Sequence, residues 1–383
     1  MQNTIYEYEE IKEENYKELR THIIDNSSLH QYFKLDWKIL KARQYCGILN
    51  FDSQDFYILP KIANHNAEQN LNIFIYMLMY AYDVKLSNEQ IASCANQEHS
   101  ILEVFVQMFA SNLLNELKKG LYKEYILEQD NLPVLKGKYL INENLKYNFT
   151  KDKIYCEYDE FTPNNSLNQF FLYSVKYLQK FVKDKKLSKQ CELIFDEVEY
   201  RQFDMNKLEN IHFNRQNQRF KKSFEIAILL LKQLIPNFKK DKKSFAFLFD
   251  MNILFEQFIA RIFKELDNSV KIQNKNNFGD LTLKPDIILK NKIIDTKYKK
   301  LNSLNDIKQS DKLQVFSYGI NYNIGNVMLL YPKHLENFSF DLVFGKDYKE
   351  VNLKIKTIDL DFGGNNYKDY ISEIIKRVEK LNE

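Results

Sequence analysis

Hydrophobic positions along the chain change period several times, and each change predicts an element. Tyr45 to Phe51 (YCGILNF) and the run QDFYILPKI are rich in β-formers and are separated by Asp52 and Ser53, which predicts two strands joined as a hairpin. NLNIFIYMLMYAYDV is apolar almost all round, as a buried helix is. The next segment carries Leu102, Phe105, Val106, Phe109, Leu113, Leu114 and Leu117 at helical spacing, with Gly120 as a break, and LPVLKGKYLI returns to strand character. The middle of the chain reads as mostly helical. A stripe through Leu167, Phe170, Phe171, Val175, Leu178 and Val182 lies behind a capping Ser166, KDKKLSKQ reads as a charged turn, and a later helix exits at Pro236. Lys239, Lys240, Lys242 and Lys243 read as a linker. FEQFIARIFKEL then repeats a helical stripe with Phe255, Phe258, Ile259, Ile262 and Phe263. NVMLLYP is a buried strand ended by Pro332, two or more terminal strands turn at Gly345 and Asp347, and YISEIIKRVEKL closes the chain as an amphipathic helix.

The stretch KPDIILKNKIIDTKYKK, Lys284 to Lys300, departs from pure packing. Ile287, Ile288 and Leu289, then Ile293 and Ile294, form two strand cores around the polar Lys290, Asn291 and Lys292. Side chains alternate in a strand, so Asp295 and Lys297 share a face. A turn centred on Lys290 and Asn291 sets Asp286 opposite Asp295; a slip of one residue would send Asp286 to the other face. Two carboxylates facing each other repel, and a divalent cation relieves that. A Mg²⁺ ion held by both would polarise a phosphate and activate water, with Lys297 orienting the water or stabilising charge, which is the chemistry of phosphodiester hydrolysis. In the following helix Gln314 and Tyr318, four apart, share a face, and Leu313, Phe316 and Ile320 supply its apolar spacing. Asp359 and Asp361 also alternate as a metal pair does, but an exposed edge accounts for them more simply.

Composition narrows the function. With 383 residues and 44% hydrophobic content the chain can build two or three cored domains. A formal net charge of only +3 means that DNA affinity must come from local patches or a partner. One such patch is Arg215, Arg219, Lys221 and Lys222, which would track a DNA backbone or simply form a solvated helix face. The scattered Cys46, Cys94, Cys156 and Cys191 exclude a zinc finger or disulfide framework and suit a reducing cytoplasm. The acidic N-terminus lacks the apolar core of a signal peptide, and no apolar run is long enough to span a bilayer, so a cytoplasmic location is expected. There is no G-x-x-x-x-G-K-[ST], so nucleotide is not bound through a P-loop of this chain. The fold expected is α+β multidomain: a mixed β/α region over residues 1–155, a helical middle over 156–244 and an α/β domain over 245–383.

The C-terminal pattern resembles the PD-(D/E)xK nuclease superfamily. Pro285 and Asp286 stand at its PD, Asp295, Thr296 and Lys297 at its (D/E)xK, and Gln314 and Tyr318 resemble the Q-x-x-x-Y helix of its RecB-like branch. The resemblance implies that Glu256, on the preceding helix, helps Asp286 and Asp295 at the metal; read alone, Glu256 is equally a solvated helix carboxylate. The order of Gly47 to Leu49, Ile58 to Ile62, KKGLYKEY and LKGKYLI, followed by the nuclease tail, is similar to the McrC family, the nuclease subunit of McrBC-type modification-dependent restriction systems. That likeness implies a Mg²⁺-dependent endonuclease acting on double-stranded modified DNA. It also implies a docking region for a hexameric McrB-like AAA+ GTPase, which binds the GTP and is stimulated by this chain. Glu160 and Asn168 stand where such chains carry an acidic residue and an Asn at a helix head, with no chemical role assigned. Two other classes stay open: a non-cleaving regulatory subunit, and a stand-alone RecB-like repair nuclease.

Overall fold

In the computed structural model, residues 1, 2, 38, 53, 64, 65, 96–99, 151, 240, 241, 302, 334–337, 346–349, 365 and 383 are excepted and all others are described. Ser53, Lys240 and Asp347 therefore lie outside the described residues. The architecture is mixed α and β, in two units: Met1–Ile101 with Gln233–Glu383, and Leu102–Lys232. The sequence reading divides the chain in order near residues 155 and 245, whereas the first unit joins the two ends of the chain.

Within the first unit a five-stranded sheet runs in the order Thr4–Tyr6, Gln54–Leu59, Tyr45–Phe51, Lys242–Asp250, Leu234–Lys239. The expected hairpin pairs Gly47 with Ile58 and Phe51 with Gln54. Lys242–Asp250 lies antiparallel on its other side, Ala246 opposite Leu49. The lysine run read as a linker instead connects the last two strands, because apolar residues on both sides of it pair across the turn: Ile235 faces Ala246 and Leu234 faces Phe247. Pro236 follows the end of the helix Lys221–Gln233, but it sits in the edge strand, where its missing N–H is tolerated. Ile5, Leu49, Phe56, Ile58, Ala246 and Leu248 form one core under this sheet.

The same unit holds a six-stranded sheet, ordered Lys271–Ile272, Ile287–Ile288, Ile293–Thr296, Asn326–Pro332, Val351–Ile358, Ser339–Phe344. Its three central strands are parallel and the flanking pairs antiparallel. The helix Gln309–Asn321 is the crossover between the first two parallel strands, as that geometry requires. Val327 to Tyr331 are all buried, the continuous apolar run expected of a strand covered on both faces. The crossover helix packs Phe316 and Ile320 of its expected apolar face on the core, but not Leu313. Leu313 is 57% exposed, while Asp311, Val315 and Tyr318 are buried. Two of these buried residues find polar partners: Asp311 meets Lys299 at 2.8 Å and Tyr318 donates to the Lys284 carbonyl at 3.2 Å. Those partners offset the cost of burying polar groups, and Leu313 goes outward.

Ahead of this sheet lies the helix Met251–Leu266. Asp250 caps it by accepting from the Asn252 N–H at 2.8 Å, and Leu254, Phe255, Phe258, Ile259, Ile262 and Phe263 form its buried stripe. It packs on the helix Ala67–Ala81 and on the strand Ile293–Thr296. Tyr80 donates to Glu265 at 2.6 Å.

The second unit contains a three-stranded sheet, Glu124–Leu132, Ile154–Thr162 and Lys138–Tyr139, with helices Ile141–Tyr147, Ser166–Leu178, Lys186–Ile194 and Lys221–Gln233. LPVLKGKYLI contributes to the sheet only Leu132, the end of one strand, and the short strand Lys138–Tyr139, since Ile141 already opens a helix. The cap of Ser166–Leu178 is Asn165 rather than Ser166. The charged segment read as a turn begins a helix at Lys186, because Ser188 and Cys191 are buried three apart while its lysines face water. Asn168 is structural, donating to the carbonyls of Tyr122 at 2.8 Å and Pro163 at 2.7 Å, and Glu160 pairs with Lys136. Among the described residues no helix is long and apolar enough to cross a membrane.

Candidate active site

The hairpin builds the site. Ile287 pairs with Ile294, Ile288 with Ile293, and the Leu289 N–H donates to the Lys292 carbonyl at 2.8 Å, so the register continued outward sets Asp286 against Asp295. Asp295 lies within a strand buried on both sides and is 1% exposed. Lys297 leaves the same strand; its Nζ stands 2.7 Å from Asp295 Oδ2, an ion pair that is not aligned as a hydrogen bond. Asp286 precedes its strand and is free to turn its carboxylate toward the exit of the neighbouring one. There Asp286 Oδ2 accepts from the Thr296 N–H at 2.7 Å and the Thr296 hydroxyl at 2.8 Å.

The crossover helix completes the Lys297 environment. Tyr318 donates its hydroxyl proton to the Lys284 carbonyl at 3.2 Å and accepts from Gln314 Nε2 at 2.7 Å. Gln314 Oε1 is thereby aimed at Lys297 Nζ, 3.0 Å away. Glu256, on the preceding helix, feels the charge of Asp286 and accepts from Gln273. Asp295, Lys297, Gln314 and Tyr318 are thus joined through direct contacts, and Asp286, with Glu256 beside it, is linked to them through Thr296 and through its charge.

Their electrostatics differ from those of a solvated hairpin. Burial, followed by the charge of Asp286, pushes Asp295 up to about 7, with Lys297 opposing. Burial raises Asp286 against the Thr296 hydrogen bonds, and burial and Asp286 raise Glu256. Burial alone would lower Lys297, but Asp295 and Asp286 override it and hold the ammonium above its ordinary range. The group is therefore short of positive charge: three carboxylates and one cation. Among the described residues no three His, Cys, Asp or Glu side chains converge closely enough to hold an ion. The donor set that fits Mg²⁺ is the pair Asp286 and Asp295, hard oxygens whose shared repulsion a divalent ion would relieve, with waters completing the shell.

These shifts fix the sign of a pH effect. Folded Asp295 keeps its proton up to about 7, while its unfolded counterpart loses it near the ordinary value of 3.8. The folded chain binds more protons over that window, so stability without metal falls as pH rises through it. The expected result is a thermal midpoint several degrees lower at about pH 8 than at about pH 5. Asp295→Asn should remove much of that loss, and Mg²⁺ should offset it at the higher pH; calorimetry checks both.

Sequence reasoning missed two positioning residues. Thr296 is the central residue of D-T-K, and the signal was available, since a Thr there presents a hydroxyl and an N–H together. Gln273 sits in an irregular loop that no pattern marks. Two secondary candidates are otherwise engaged. Arg219 donates to the Gly120 carbonyl at 2.6 Å and stacks on Phe220, which takes it out of the basic patch. Asp359 pairs with Lys333 at 2.7 Å, and Asp361 accepts from Gln69 at 2.6 Å.

A family model described as McrBC 5-methylcytosine restriction system component matches residues 40–332. Among solved structures the chain is similar to one in the refined half-complex from the tetradecameric assembly of Thermococcus gammatolerans McrB AAA+ hexamers with bound McrC. That likeness has a TM-score of 0.63 at 21% identity and covers 99% of each chain. It is also similar to a chain of the cryo-EM structure of the Thermococcus gammatolerans McrBC complex, with a TM-score of 0.50 at 24% identity over 71% of this chain and 89% of that one. At these identities the likeness speaks for the fold. No curated protein matches the chain.

Proposed function

The chain belongs to the family described as McrBC 5-methylcytosine restriction system component, and on that premise we propose that it is the DNA endonuclease subunit of a GTP-driven, modification-dependent restriction complex. Its catalytic centre is then a PD-(D/E)xK site in a domain spanning residues 245–383. One observation carries the reading: Lys297 Nζ lies 2.7 Å from the buried Asp295 carboxylate, on a hairpin whose register sets Asp286 opposite. Mg²⁺ bound by Asp286 and Asp295 would polarise the scissile phosphodiester and lower the pKa of a water. The chain's own residues do the rest. Thr296 holds Asp286 in place, Glu256 restrains it from the far side, and Lys297 stabilises charge developing on the phosphate or orients the attacking water. Gln314, fixed by Tyr318, keeps the Lys297 ammonium in position.

The reading includes a partner, a hexameric AAA+ GTPase of the McrB type, which supplies the GTP site. Docking falls to the region 1–155. Support comes from apolar side chains left in water there: Tyr125 72%, Leu127 60%, Leu145 70% and Phe149 87% exposed. Such exposure is expensive unless a partner covers it. Leu145→Ser with Phe149→Ser is expected to weaken association with the GTPase at least about tenfold and to lower GTPase stimulation, with the circular-dichroism spectrum unchanged. Unchanged association would move the docking site elsewhere.

The experiment that tests the function is cleavage of long cytosine-methylated DNA by this chain with its AAA+ GTPase, Mg²⁺ and GTP. Cutting that requires GTP supports the proposal. Cutting without GTP or partner would indicate a stand-alone nuclease. Stimulated GTP hydrolysis with no cutting would indicate a regulatory subunit.

A further inference from the structure

Beside the catalytic strand lies a cavity of about 130 Å³ whose position and lining the carboxylate site does not explain. It sits where four strands end. Glu7 follows Thr4–Tyr6 and Lys61 follows Gln54–Leu59, a parallel pair; Tyr298 follows Ile293–Thr296 and Lys333 follows Asn326–Pro332, a second parallel pair. The carboxyl ends of parallel strands are where open sheets bind ligands. The lining carries four lysines, Lys61, Lys299, Lys300 and Lys333, against Glu7 and Glu9.

Glu7 gives the cavity its chemistry. It is 7% exposed, and its Oε1 accepts from the Tyr298 hydroxyl at 2.7 Å and the Lys61 N–H at 3.1 Å. Its other oxygen, Oε2, is buried with no partner among the described residues. A buried carboxyl oxygen left so is costly unless a ligand meets it. An ionised Oε2 would call for a cation, yet none of the four lysines pairs with it. Lys299 is held by Asp311 at 2.8 Å, Lys333 by Asp359 at 2.7 Å, and Lys61 leans to Glu9 at 3.7 Å. A protonated Oε2 calls for an acceptor. A single group satisfies both the carboxyl proton and the ammoniums, namely an anion with several acceptor oxygens.

We propose that this cavity binds a backbone phosphate of the DNA strand that is cut, with Lys61 and Lys300 as cationic contacts and the Glu7 carboxyl as a hydrogen-bond donor. The inference rests on the nuclease reading for the identity of the strand. Tyr298 is three residues from Asp295, so their Cα atoms stand within about 11 Å of each other, and a phosphate held in the cavity would help to set the register of the strand.

Glu7 makes this contact depend on pH. Burial pushes its carboxyl up to about 7, against the Tyr298 and Lys61 hydrogen bonds. The other groups around it are Tyr8 and Glu9 of its own segment, Cys46 of the strand Tyr45–Phe51, Tyr298, and the four lysines, with Asp250 acting on Tyr8 and Cys46. Burial raises Tyr8, Cys46 and Tyr298, so these three stay neutral near pH 7 and Glu7 is the one that changes charge there. Above about 7 it becomes an anion facing a phosphate, and binding weakens.

The test measures binding of a short fluorescent duplex to the full chain by anisotropy, without metal, over a salt series at about pH 6 and about pH 8. Lys61→Gln with Lys300→Gln is expected to weaken binding about tenfold and to lower the slope of log affinity against log salt by about one to two. The pH arm is run in the Asp295→Asn background, which removes the other carboxyl that changes charge near 7; there binding should be several-fold weaker at the higher pH, and Glu7→Gln, which keeps a donor at all pH values, should lose that dependence. Lys300→Gln alone, at an exposed position, gives a reading that no folding defect can imitate. An unchanged slope in the double variant, or a pH response that survives Glu7→Gln, overturns the proposal, as does absence of salt-dependent binding by wild type. If the lysine variants lose affinity while wild type with its GTPase never cuts, the nuclease reading fails and the phosphate site stands. If wild type cuts and the double variant binds and cuts equally well, the phosphate site fails alone.

Discussion

Asp295→Asn is expected to reduce cleavage of methylated DNA by about 10³-fold or more while leaving GTPase stimulation and complex formation intact. The size follows from where Asp295 stands. Its carboxylate is 1% exposed and faces both Asp286 and Lys297, so no water or neighbouring side chain can take its place. The amide is nearly isosteric but cannot carry the negative charge that a hard cation requires. It also removes a buried carboxyl that loses stability as pH rises, so the variant should fold at least as well as wild type near neutrality. Lys297→Ala and Asp286→Ala should abolish cutting as well, for separate reasons. The first removes the cation in contact with Asp295, and the second removes the carboxylate opposite it. Gel assay of linear methylated DNA with GTP and Mg²⁺ reads the effect, and coupled phosphate release reads the partner. Retained cutting by Asp295→Asn or Lys297→Ala would remove the mechanism proposed here.

Gly47→Ala is expected to be the most destabilising small substitution in the first unit, by roughly 3 kcal/mol or more. Gly47 has φ +146°, and a Cβ there would lie 2.1 Å from the Phe247 carbonyl oxygen and 3.1 Å from Leu248 Cα. Both are backbone atoms of the paired strand Lys242–Asp250, in register opposite Ile48 and Gly47, so neither can move without breaking that ladder. Even a methyl group must therefore separate the strands or bend one of them. Urea unfolding followed by circular dichroism measures the loss. Gly363→Ala is the comparison: nothing lies within 4 Å of its Cβ position, and the change should stay within about 0.5 kcal/mol. Equal stability of the two variants would contradict the packing described for Gly47.

How much of the site was readable before folding depends on distance along the chain. Asp286, Asp295 and Lys297 belong to one hairpin, where a turn and a period of two are enough to set which residues face each other. Gln314 and Tyr318 are one helical turn apart, and the spacing alone aligns them. Thr296 could have been read from the same run. The outward turn of Leu313 could not, because it follows from polar partners that Asp311 and Tyr318 find in other segments. The helix at Lys186–Ile194 escaped for a similar reason: its local composition is charged, and Ser188 and Cys191 make it helical only by having something to pack against.

By itself, then, the sequence determined the hairpin and its carboxylates, the Q-x-x-x-Y helix, the apolar strands that come after it, and the likeness to a nuclease family. Each rests on backbone periodicity over a few residues, which operates whatever the rest of the chain does. Only the tertiary structure decided that the two ends of the chain share one unit, that Lys242–Asp250 closes on Tyr45–Phe51, and that Glu7 meets Tyr298 across 291 positions. Such pairings depend on matching surfaces buried together, and closing a longer loop costs only slightly more entropy than closing a shorter one. Chain distance therefore carries almost no information about them, and the cavity at Glu7 becomes visible only when four strand ends are brought side by side.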